Sequence, residues 1–131
     1  MPQGYFDPYG SLQVVQMGTD GAPIAPRAPT HFKIANATAA GDTTVWTPAG
    51  SKRFRLLRLY VDASNTANIF FKDGTTQFTP QVTHTNARGA MVYDFGPAGY
   101  LSTAANNELK VNLGVAAASP GIGVLAIGWE E

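Results

Sequence analysis

Chemistry in this chain would have to come from a short roster: two histidines, nine acidic residues, nine basic residues and no cysteine. Without a thiol there is no disulfide framework, thiolate zinc site or cysteine nucleophile. A hydrolytic triad needs nucleophile, imidazole and carboxylate in one place. His31 opens a strand beside a proline-rich stretch, His84 lies in the polar run Thr83-His84-Thr85-Asn86, and there is no Gly-x-Ser-x-Gly elbow. Neither histidine has a second metal ligand at a characteristic spacing. Asp7, Asp20, Asp42, Asp62, Asp73, Asp94 and Glu108 could in principle pair for glycoside hydrolysis. Most lie in turn contexts, where aspartate caps its own backbone. Asp94 is the exception, inside a strand between Tyr93 and Phe95, and is expected to be a paired surface charge. Asp62-Ala63-Ser64-Asn65 offers oxygens without EF-hand spacing. Gly121-Ile122-Gly123 precedes a strand, whereas a phosphate site would need a helix N-terminus. No catalytic residue, metal or cofactor is expected.

The elements that would carry any site are strands. From residue 30 onward, short β segments alternate with turn residues: 31–37, 43–47, 53–62, 67–72, 75–82, 91–95, 108–113 and 122–129. Asp73-Gly74 marks a two-residue hairpin. About eight strands at this spacing, with no sustained helical period, predict an all-β antiparallel sandwich or barrel. The first thirty residues differ, holding Pro2, Pro8, Pro23, Pro26 and Pro29 with Gly4, Gly10, Gly18 and Gly21. Proline removes a donor and fixes φ, so residues 1–30 read as an extended arm and residues 31–131 as the sandwich domain. The segment 12–17 could add an edge strand.

Periodicity also assigns faces. Leu109, Val111 and Leu113 alternate with Glu108, Lys110 and Asn112, so one side is core and the other wet. Met91, Tyr93 and Phe95 repeat the pattern. Two strands are apolar on both sides. In 53–62, Phe54, Leu56 and Tyr60 oppose Leu57, Leu59 and Val61; in 122–129, Ile122, Val124 and Ala126 oppose Leu125, Ile127 and Trp129. The outward set needs a cover, either the arm, a loop or another subunit. Strict alternation also puts Arg53 and Arg55 on one face and Arg58 on the other. That stripe is too small to hold a nucleic-acid backbone, though it could meet an acidic neighbour.

Composition narrows the partners. Charged residues make up 14% of the chain and the net charge is zero, which gives no pull toward nucleic acid or anionic membrane. A weakly charged surface suits a subunit that lives in an assembly. No signal peptide and no apolar run of roughly 18 residues is present, so the chain is expected to be made in a cytoplasm and to be soluble. The arm carries Tyr5, Phe6, Tyr9, Leu12, Val14 and Ile24, more apolar surface than a spacer requires. These residues, with Arg53 and Arg55, are the candidate interface. Exposed aromatics suited to a sugar site are Trp46, Tyr60, Tyr100 and Trp129.

Several runs carry a recognisable pattern. They are Ala39-Ala40-Gly41-Asp42-Thr43-Thr44-Val45 with Pro48-Ala49-Gly50-Ser51-Lys52-Arg53-Phe54-Arg55-Leu56, and the hairpin Ala67-Asn68-Ile69-Phe70-Phe71-Lys72-Asp73-Gly74-Thr75-Thr76. A third is Phe95-Gly96-Pro97-Ala98-Gly99-Tyr100-Leu101-Ser102-Thr103-Ala104, continuing through Asn107-Glu108-Leu109-Lys110-Val111-Asn112-Leu113. Together these runs resemble small virion proteins of tailed phages; the likeness spans residues 31–130 and leaves the arm out. It implies a jelly-roll-like sandwich on the capsid surface, or in a head or tail fibre, commonly trimeric. The expected function is then a capsid decoration or head-fibre subunit contacting the major capsid protein and copies of itself. A carbohydrate- or receptor-binding module of a phage tail is the alternative.

Overall fold

Alternating apolar residues punctuated by Gly, Pro, Asn and Asp can bury one side only by stacking sheets face to face. The computed structural model describes residues 27–86 and 89–131, together with the backbone of two short strands nearer the start. Those two are β1 (Tyr5–Phe6) and β2 (Leu12–Gln13), paired antiparallel with each other. The rest are β3 (His31–Ala37), β4 (Gly41–Trp46), β5 (Phe54–Ala63), β6 (Ala67–Asp73), β7 (Thr76–Gln77) and β8 (Val82–His84). They continue with β9 (Met91–Asp94), β10 (Tyr100–Leu101), β11 (Leu109–Leu113) and β12 (Ile122–Glu130).

The expected β-sandwich is what forms. One sheet runs β10-β5-β12-β3 with β9 also on β5; the other runs β4-β11-β6-β7 with β8 also on β6. Every pairing is antiparallel. Taking β7 with β8 and β9 with β10 as single strand positions, successive strands cross between sheets except β6 and β7–β8, which share one, and this is jelly-roll order. Between the sheets, Trp46, Phe54, Leu56, Leu59, Ile69, Phe71, Leu109, Leu113 and Ile122 are all buried to within 2%.

Three expectations about strands change. Residues 75–82 are not one strand. Pro80 has no donor to give a ladder, and the chain breaks into β7 and β8. At the break, Thr79 Oγ1 accepts the Phe71 N–H at 2.8 Å, in place of a strand carbonyl. The hairpin turn lies one residue later than read, with Asp73 opposite Thr76 and Gly74 taking φ of 63° at the first turn position. Finally, β5 does not keep strict alternation. Phe54 and Leu56 are buried, but so are Leu59, Val61 and Ala63.

A bulge accounts for that shift. Leu56 pairs with Gly128 and Arg58 with Ile127, so Leu57 is an extra residue against β12. One inserted residue flips the phase of everything after it, and both halves of β5 then face the core. The bulged backbone leans on β12, where a Cβ at Gly128 would collide with the Arg55 carbonyl. Arg58 therefore shares the outer side with Arg53 and Arg55, correcting the split assigned from alternation. Leu57 keeps its carbonyl satisfied, accepting the Phe95 N–H at 2.9 Å.

Asp73 is a turn residue by sequence but is only 2% exposed. Its carboxylate accepts from Tyr100 OH at 2.8 Å, Thr103 N–H at 2.8 Å and Asn107 Nδ2 at 2.9 Å. It thereby ties the β6 end to the loop before β11. Asp73→Ala strands three donors and should cost about 3 kcal/mol. The exposed Lys72–Asp42 pair, at 2.8 Å, should cost less than about 1 kcal/mol when Asp42→Ala removes it. Urea unfolding of both variants checks the ranking.

Candidate functional site

Most of the described histidines and carboxylates are engaged in contacts within the sandwich. His84 is buried, its Nε2 2.8 Å from Tyr93 OH, with the two rings stacked. His31 stacks on Trp46 at 5.5 Å, with Nδ1 2.8 Å from Thr30 Oγ1 and Nε2 3.6 Å from Glu130 Oε2. The order hydroxyl, imidazole, carboxylate has the outline of a triad, but 3.6 Å is too long for the relay bond. Glu130 is engaged elsewhere, with Oε2 accepting from Trp46 Nε1 at 2.8 Å and Oε1 from Ala49 N–H at 3.1 Å. Asp94 is not a paired surface charge. Its Oδ1 accepts the Gly96 N–H at 2.9 Å, so it caps a turn. Ser64 and Asn65 donate to the carbonyls of Gly121 and Ala118, using the oxygen-rich loop to pin the approach to β12. Among the described residues, no three His, Asp or Glu groups converge on a metal position. No helix there is long and apolar enough to cross a membrane.

What the fold does assemble is a surface. Because β12 pairs with both β3 and β5, and β5 with β9, outward residues line up in rows across the outer sheet. One row is Ile34, Leu125, Tyr60 and Val92; the next is Phe32, Ile127, Arg58 and Asp94. Ile34 is 74% exposed, Phe32 58% and Val92 54%, and Leu125, Ile127 and Tyr60 are half-buried. A groove of about 220 Å³ runs along the first row, lined by Ile34, Tyr60, Leu125 and Ala90. Beside it, Gly123 sits between Asn36 and Asp62 and leaves a dip of about 170 Å³. On the other flank, Arg27, Pro29, Leu57, Arg58, Asp94 and Ile127 line a third groove of about 340 Å³. Isolated exposed apolar side chains are ordinary; here Phe32, Ile34 and Val92 share one face with half-buried Leu125, Tyr60 and Ile127.

The described chain enters across this face. Arg27 lays its guanidinium 4.8 Å from the Trp129 ring, and Thr30 N–H donates to Gly128 O at 2.9 Å. Residues 27–30 thus pack on the sheet. Trp129 points outward as its strand phase required, yet Arg27 and Arg55 leave it only 4% exposed.

The candidate interface residues fare unevenly. Tyr5, Phe6 and Leu12 fall on the β1–β2 ladder. Tyr9, Val14 and Ile24 lie outside the described residues. Arg53 is half-buried beside Glu131, whose backbone it pairs with at 2.8 and 2.9 Å. Arg55 is engaged by its own chain through a two-pronged contact to Glu131, at 2.7 and 3.1 Å, and by donation to Ala98 O at 2.8 Å. Sequence reasoning named neither Phe32, Ile34 nor Val92. The signal was present in the outward phase of 31–37 and 91–95, but which strands adjoin cannot be read from spacing.

Of the four aromatics considered for sugar binding, three are packed away. Trp46 is 1% exposed; Trp129 lies under arginine with Nε1 bonded to Glu131. Tyr100 stacks on Phe78 at 4.4 Å. Burial, reinforced by the Asp73 carboxylate, pushes its phenol well above the ordinary tyrosine range. Tyr60 alone stays half-open on the outer face.

The carboxylates at the end of β12 titrate low. Hydrogen bonds from Arg55 lead in lowering Glu131, against opposing burial. For Glu130, burial pushes upward and is outweighed by the Trp46 and Ala49 donors with the nearby His31 and Lys33 charges. A carboxylate lowered in the folded state binds fewer protons there than in the unfolded chain, so its stabilisation holds above the ordinary value of 4.5 and is lost as pH falls through the folded value. Glu131→Gln should reduce stability at neutral pH and flatten the acid limb. Thermal melts of both proteins should converge as the pH drops below the folded value.

No family model matches this chain, and searches of curated proteins and of solved structures likewise find no match.

Proposed function

We propose that the protein is a non-enzymatic structural subunit of a phage virion, a capsid decoration or head-fibre protein. It binds the shell through its outer sheet face and leading segment. The observation that carries this reading is the apolar row Ile34, Leu125, Tyr60 and Val92, with Phe32 and Ile127 beside it, on a sandwich whose buried polar side chains, among the described residues, are all bonded. Covering a few hundred Å² of such surface yields several kcal/mol at about 25 cal/mol per Å². Modest contact energy per copy becomes firm attachment when many copies engage a shell in parallel. The low charge and the phage-like runs support the same reading. Jelly rolls recur in capsid and lectin domains, so the architecture is compatible with it without deciding it. The partners are the major capsid protein and further copies of the chain, and the location is the capsid surface. The tail-module alternative retains Tyr60 alone among its aromatic candidates.

Mass spectrometry of purified virions should find the chain, and imaging should place it on the shell. Recombinant protein should rebind virions stripped of it. Val92→Lys should keep its melting temperature, since a surface change there is worth within about 0.5 kcal/mol, yet lose most rebinding. Removing residues 1–26, which spares the Arg27 contact on Trp129, should leave a folded domain with weakened rebinding. A chain absent from virions, or variants that rebind undiminished, would overturn the proposal.

A further inference from the structure

Open sheet edges are templates for pairing, and native proteins guard them with short strands, charge, proline or bulges. On one side of this sandwich both sheets end in short pieces: β7, β8, β9 and β10 have between 2 and 4 residues. On the other side the edges are β3 and β4. β4 carries Asp42, bonded to Lys72 and Asn112. Among the described residues, β3 is guarded only by Lys33, on the inner side of the strand. It runs for 7 residues, contains no proline, keeps an unbroken register with β12, and turns Phe32 and Ile34 outward into water.

We infer that two copies of this chain pair antiparallel through their β3 edges, on a twofold axis at Ile34, joining two outer sheets into one. In an antiparallel pair, residues of the same face sit opposite one another. With the axis on Ile34, it meets the second copy's Ile34 and Phe32 meets Asn36. On the inner side, Lys33 meets Ala35 and His31 meets Ala37. Moving the axis to Lys33 would place two ammonium groups directly opposite, which is destabilising. Moving it to Ala35 would face Ile34 with Asn36 and lose the apolar pair. The Ile34 register also continues the row described above. Val92, Tyr60, Leu125 and Ile34 run straight into the same row of the second copy, so the pair presents one uninterrupted apolar row. A twofold pair is the unit this edge builds, in place of the trimer that the phage resemblance implies. The pairing draws on β3 alone and does not rest on the virion reading.

Sedimentation equilibrium of the full chain tests it, with circular dichroism to confirm folding. The native protein should sediment as a dimer. Ile34→Lys and Ile34→Glu, at a position 74% exposed, should each stay folded and fall about twofold in mass. Mixing the two variants in equal amounts should restore the dimer, because position 34 faces itself across the axis and Lys then meets Glu. Val92→Lys, at the far end of the row, should remain dimeric. A native monomer or trimer, charged variants that still dimerise, or a mixture that stays monomeric would each overturn the pairing.

Discussion

The extra residue at Leu57 is the constraint on which the rest of the molecule turns. A ten-residue strand in strict alternation would bury either Phe54 and Leu56 or Leu59 and Val61, leaving the other pair in water. Inserting one residue against Ile127 and Gly128 lets both pairs enter the same core. The same phase change carries Arg58 to the outer side and sets Tyr60 beside Leu125. Gly128 is the counterpart on β12, since the displaced Arg55 carbonyl occupies the space a side chain would need. Fold and outer face are thus consequences of one local irregularity.

Around that strand, polar side chains act as fasteners. Asp73 gathers Tyr100, Thr103 and Asn107; Glu130 holds Trp46 and the Ala49 backbone; Glu131 holds Arg55 and Trp129. Every buried side-chain nitrogen or oxygen among the described residues has a partner. Buried polar groups that are fully bonded specify a unique arrangement at little net cost, whereas a half-bonded set would destabilise it. Beside these fasteners, the outer sheet aligns apolar side chains across its strands. On the proposed reading, that surface is the means of attachment.

Rows and edge also belong together. The strand that exposes Ile34 most fully is the strand whose second edge has no partner strand among the described residues, so one element presents both backbone hydrogen-bonding groups and apolar side chains. The opposite ends of both sheets are cut short. Among the described residues, one side of the sandwich thus ends in short strands and the other in β3 and β4.

Local chemistry was legible along the chain. Alternation in 109–113 and 91–95 identified the core face of two strands, because a half-buried strand must repeat every second residue. Proline and glycine placed most of the turns, and the absence of sustained helical periodicity decided an all-β sandwich. The both-sided hydrophobicity of 122–129 correctly announced an outward apolar set. What alternation could not reveal was the bulge in β5, since an inserted residue changes nothing in composition and only pairing with β12 exposes it. Nor could spacing reveal that Asp73 is buried under three donors contributed from residues 100, 103 and 107, or that Arg27 and Arg55 close over Trp129. Ile34 and Val92 stand far apart in the chain, and only the antiparallel register of four strands makes them one surface. Short-range periodicity is a property of the chain; adjacency is a property of the fold.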